Sequence, residues 1–132
     1  MIGLDTNILL RAMLNDDPVH SPAAQRLLWK LGEDAPGFVN LLVLMEFFWV
    51  LRSRYKLPKA RLAATIRDLL GIEHIEFEAF HVAGKALAIF ETGDADFSDV
   101  VIALRNHELG AATTFTFDGG AARSVPGMEL LA

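Results

Sequence analysis

Met1-Ile2-Gly3-Leu4-Asp5-Thr6-Asn7-Ile8-Leu9-Leu10-Arg11 opens the chain, and its reading decides the fold. An apolar run of strand length ends at Asp5. Asp5-Thr6-Asn7 supplies cap-type residues, and Ile8-Leu9-Leu10-Arg11 resumes at helical spacing. A strand that passes straight into a helix is the unit from which parallel sheets are built. The pattern recurs. Asp16-Asp17-Pro18 closes the first helix, and a second runs from Ser21-Pro22 to Leu31, with Gly32 as its stop. Gly37-Phe38-Val39 is a short strand before a long apolar helix, which Leu57-Pro58 breaks. Another helix reaches Gly71. Ile72 to Phe77 alternates as a strand, Glu78 to Glu91 is helical, and Gly93 opens a loop. A helix from Asp96 to Leu109 stops at Gly110. Ala112 to Phe115 is a strand, Asp118-Gly119-Gly120 a turn and Met128 to Leu131 a last strand. The expectation is an α/β fold: one domain over 1–132, with a mostly parallel central sheet flanked by helices.

Composition narrows the class. A chain of 132 residues fits one domain, and at 52% hydrophobic it has apolar surface to spare for a core or for another chain. Twelve basic against seventeen acidic residues leave a net charge of −5, which argues against gripping nucleic acid by overall charge. There is no cysteine, hence no disulfide and no thiolate metal site. Asn40 and Glu46 interrupt the best candidate for a membrane span, and the N-terminus lacks a basic leader. These features fit a cytoplasmic protein.

Glu46 is the most demanding residue. It interrupts Leu41-Leu42-Val43-Leu44-Met45-Glu46-Phe47-Phe48-Trp49-Val50-Leu51. On a helix its same-face neighbours are Leu42, Val43, Trp49 and Val50, all apolar. A charge on an apolar face is costly unless paired, protonated or bound to metal. Other acids fall at the carboxyl ends of strands, where α/β sheets place their ligands. Asp5 closes the first strand, Asp118 follows the Ala112 to Phe115 strand, and Asp96 and Asp99 open a helix after a loop. Structural roles compete: Asp5 as an N-cap, Asp96-Phe97-Ser98-Asp99 as a capping box, Asp118 as turn chemistry. The four histidines show no paired zinc-ligand spacing. Clustered carboxylates without thiolate or imidazole suit a hard cation, Mg²⁺ or Mn²⁺.

These segments resemble the PIN-domain ribonucleases, and within them the VapC-type toxins of toxin–antitoxin pairs. Gly3-Leu4-Asp5-Thr6-Asn7-Ile8-Leu9 is similar to the first acidic motif and Leu42 to Leu51, with Glu46, to the second. Ala95-Asp96-Phe97-Ser98-Asp99-Val100-Val101-Ile102-Ala103 is similar to the third. Thr116-Phe117-Asp118 and Pro126-Gly127-Met128-Glu129-Leu130-Leu131 are similar to the C-terminal ending. The resemblance implies a PIN-like three-layer fold and a Mg²⁺- or Mn²⁺-dependent endoribonuclease. It makes Asp5 and Asp99 direct metal ligands, Asp118 a third carboxylate and Asp96 an auxiliary acid. Glu46 would hold a metal-bound water or second cation, and Thr6, Asn7 and Thr116 would orient the carboxylates.

It also implies a homodimer and a cognate VapB-like antitoxin docked in a groove near the active site. Phe47, Phe48, Trp49, Leu51 and Tyr55 offer apolar surface for such contacts. For the RNA substrate, Arg11 is a candidate phosphate contact among several arginines. Three other readings compete. A haloacid-dehalogenase-like phosphohydrolase wants an aspartate where Asn7 stands and a lysine after Asp99. A PIN-like interaction module without catalysis would keep the fold but not need the acids. A PIN-fold nuclease acting on DNA would need strand-threading elements for which 132 residues leave little room.

Overall fold

The computed structural model describes all residues from Met1 to Ala132. The chain divides into two compact units, Met1–Glu78 and Ala79–Ala132.

The first unit holds β1 (Ile2–Gly3), α1 (Thr6–Leu14), α2 (His20–Lys30), β2 (Gly37–Val39), α3 (Leu41–Ser53), α4 (Lys59–Leu70) and β3 (Ile75–Phe77). The strands form a sheet in the order β1-β2-β3, all parallel, with Ile2 opposite Gly37 and Gly37 opposite Ile75. Gly37 is required where it stands: a Cβ there would come within 2.9 Å of the side chains of both Leu4 and Leu31. All three strands therefore end on the same side. Asp5 follows β1, Asn40 follows β2 and Glu78 follows β3. Asn40 caps α3 by accepting the Val43 N–H at 2.9 Å, and Glu78 accepts the Leu41 N–H at 3.2 Å. Two side chains thus satisfy amide groups that the first turn of a helix leaves without partners. Leu44, Phe47, Phe48 and Leu51 are the buried stripe of α3.

The second unit holds α5 (Phe80–Thr92), α6 (Phe97–Glu108), β4 (Thr114–Thr116), α7 (Gly119–Ser124) and β5 (Met128–Leu130). Helices α5 and α6 pack together, with Phe90 and Phe97 meeting edge to face at 6.3 Å and His81 of α5 bonded to Glu108 of α6. Strands β4 and β5 are parallel, Thr114 opposite Met128, and α7 is the crossover between them.

Every helix and strand expected from the sequence is present, and every strand pair is parallel. Three details differ. The strands form two ladders, because β4 bonds only to β5. The Ile72–Phe77 strand shortens to β3, since His74 takes a left-handed conformation that breaks the extended run. Asp118-Gly119-Gly120 is not a turn but the start of α7. Asp118 caps that helix through the Ala121 N–H at 3.1 Å, and the two glycines occupy first-turn positions where helix propensity matters least.

Candidate active site

Each unit carries part of the expected acidic set. In the first, Asp5 is the N-cap of α1, and its Oδ1 accepts the Thr6 N–H at 2.8 Å. Its carboxylate is exposed at the carboxyl end of β1. Thr6 is buried and donates its hydroxyl proton to Glu46 Oε1 at 2.5 Å, so α1 fixes the acid of α3.

Glu46 itself departs from expectation. Its helix neighbours Leu42 and Trp49 are 80% and 50% exposed, and Glu46 is exposed with them. Of the apolar face read around it, Leu42 and Trp49 open to solvent while Val50 is buried. The polar partner of Glu46 comes from another helix, which local spacing along α3 cannot reveal. The aromatic excess is likewise divided. Phe47, Phe48 and Leu51 are core, while Leu42, Trp49 and Tyr55 stay at least partly exposed.

Asn7 is exposed in the first turn of α1, in a hollow it shares with Ile8, Arg11 and His20. It is not placed against Asp5 or Glu46 by any hydrogen bond. Arg11 is bonded to both oxygens of Asp16, at 3.1 and 3.3 Å, and the Tyr55 hydroxyl donates to the same carboxylate at 2.9 Å. The Tyr55 bond, followed by the Arg11 bond, holds the Asp16 carboxyl below the usual range. Burial, then the bond to Asp16, pushes the Tyr55 phenol up.

In the second unit Asp96, Asp99 and Asp118 line a single open cleft of about 650 Å³ with Asp94, Gly120, Ala121, Arg123 and Ser124. Asp96 occupies the N-cap position of α6, but its side chain makes no cap bond, and Asp99 lies in the first turn. The capping-box reading therefore describes the backbone of this segment and not the use of the Asp96 carboxylate. Thr116 accepts the Asp118 N–H at 3.0 Å and so steadies the residue that carries the third acid. Asp94 belongs to the cleft and was missed. An exposed acid beside a loop glycine has no local signal that separates it from a solvated charge.

The donor chemistry fits a hard divalent cation. The cleft offers four carboxylates and neither imidazole nor thiolate. In neither unit are three such groups drawn together as a finished ligand cage; adjacent carboxylates repel one another. The residues that would hold an ion in the second unit are Asp96, Asp99 and Asp118, with Asp94 beside them.

The PIN domain family model matches residues 2–124, and the chain belongs to the PIN domain family. PIN domains are generally metal-dependent nucleases, which places the chain among nuclease-type hydrolases with an α/β fold. None of the curated proteins compared with the chain matches it. No helix is long and apolar enough to cross a membrane.

Proposed function

We propose that the chain is a single PIN domain over 1–132 acting as the endoribonuclease toxin of a toxin–antitoxin pair. The observation that carries this reading is the cleft in which Asp96, Asp99 and Asp118 stand with Asp94, in a chain of the PIN family. Asp5, Asp99 and Asp118 are the proposed ligands of Mg²⁺ or Mn²⁺, Asp96 is an auxiliary acid, and Glu46 holds water or a second cation. When bound, such an ion supplies an activated water and stabilises charge on the phosphodiester. The chain's own contribution is positioning. Thr6 fixes Glu46, Thr116 steadies Asp118, and the α1 amide holds Asp5.

The proposed partners are an RNA substrate, a VapB-like antitoxin and a second copy of the chain, in the cytoplasm. The exposed Leu42, Trp49 and Tyr55 on and just beyond α3 supply apolar surface for a protein partner. Arg11 is the less favoured RNA contact, because Asp16 already holds it.

The test is cleavage of mixed transfer and ribosomal RNA by purified protein with Mg²⁺ or Mn²⁺. Wild type, Asp5→Asn and Asp99→Asn run side by side, with an EDTA control. Discrete fragments from the wild type alone, lost with EDTA, are expected. A wild type that binds neither metal nor RNA would favour the interaction module instead.

A further inference from the structure

The acidic cleft of the second unit contains one cation, Arg123, whose side chain is exposed. Four carboxylates line the same cleft, yet Arg123 forms no ion pair with any of them. The other arginine of this unit behaves as expected, pairing with Glu108 at 3.1 Å. The Arg123 guanidinium lies near Gly119 instead, its Nη1 3.2 Å from where a Cβ at position 119 would stand. An exposed arginine beside acids it does not neutralise keeps its donor fork for another anion.

We propose that Arg123 is a substrate-positioning residue that anchors a phosphate of single-stranded RNA at the mouth of this cleft. The inference rests on the nuclease reading above. It answers a difficulty in that reading: with a net charge of −5 the chain repels a polyanion, and carboxylates that could serve a metal repel the scissile phosphate as well. A guanidinium not spent on an internal pair supplies the local attraction, as a bidentate contact that fixes register without reading sequence.

The test uses the full chain and a fluorescein-labelled, mixed-sequence single-stranded RNA. Binding is followed by anisotropy in Ca²⁺ to suppress turnover, across a salt series. Arg123→Ala and Arg123→Gln are each expected to weaken binding about tenfold, the scale of one charge-assisted hydrogen bond. Each is also expected to lower the slope of log affinity against log salt by about 0.7, the value for one phosphate contact on a single strand. Arg123→Lys is expected to restore the slope but not the full affinity. In Mg²⁺, Arg123→Gln should raise KM and leave kcat near wild type, as for binding shared by ground and transition states. Wild-type affinity and slope in both neutral variants would overturn the proposal. So would weakening by Arg123→Ala alone, which would mark a packing role. A wild type that binds no RNA would sink the RNA-nuclease reading itself, and this inference with it.

Discussion

Thr6 and Asp5 show how much one residue can be asked to do. Thr6→Val keeps shape and loses the hydroxyl that holds Glu46, and should cost about 1 kcal/mol by urea unfolding. Asp5→Asn keeps a competent helix cap and removes only the charge. Its stability should stay within about 0.5 kcal/mol of wild type while cleavage falls at least about a hundredfold. A large loss of stability with unchanged cleavage would reduce Asp5 to a cap. At Asp16 the prediction concerns pH. Its carboxyl sits lower in the folded chain than the ordinary 3.8, so the folded state binds fewer protons there than the unfolded state. The stabilisation is complete above that ordinary value and is lost as pH falls through the folded value. Asp16→Asn should flatten the acid limb of the stability profile; an unchanged limb would show the Tyr55–Asp16–Arg11 cluster to be energetically idle. At this scale the sequence was only partly legible. Side-chain partnerships such as Thr6 with Glu46 join residues far apart in the chain, and spacing along one helix does not encode them.

Helices and strands were far more legible, because their signals are local. Asp5 caps the helix that follows it, and Gly71 and the Leu57-Pro58 break mark boundaries near where they fall. The Asn40 cap can be tested directly: Asn40→Ala removes the bond to the Val43 amide and should destabilise by about 1 kcal/mol. What misled was polarity as a proxy for burial. Helix α3 has apolar residues on nearly every side, so its sequence cannot say which stripe faces inward. Phe47→Ala should cost roughly 3–5 kcal/mol. Leu42→Ser, at an 80% exposed position on the same helix, should stay within about 0.5 kcal/mol. Helix α7 was missed for a related reason. Asp-Gly-Gly is ordinary turn chemistry, and only the alanines and arginine after it favour continuing as a helix.

For the whole molecule, fold class was legible because alternation of strands and helices is a global pattern carried by many weak local signals. The division at Glu78 and Ala79 was not, since no change of composition marks it. If 1–132 is one cooperative domain, calorimetry should give a single peak whose measured and van't Hoff enthalpies agree. Two resolved transitions would make the units independent. The proposed homodimer makes a separate claim: light scattering should return twice the 14.5 kDa chain mass, and a stable monomer would count against it.

The chain's only two tryptophans, Trp29 and Trp49, and its one tyrosine, Tyr55, all lie in the first unit. Both indoles are at least half exposed. The folded protein should therefore emit with an already red-shifted maximum that acrylamide quenches readily. The second unit, with the acidic cleft and Arg123, has neither indole nor phenol to report on it. A partner that covers α3 would announce itself by a blue shift from Trp49. Events confined to the cleft would need a dye or an introduced indole to be seen at all.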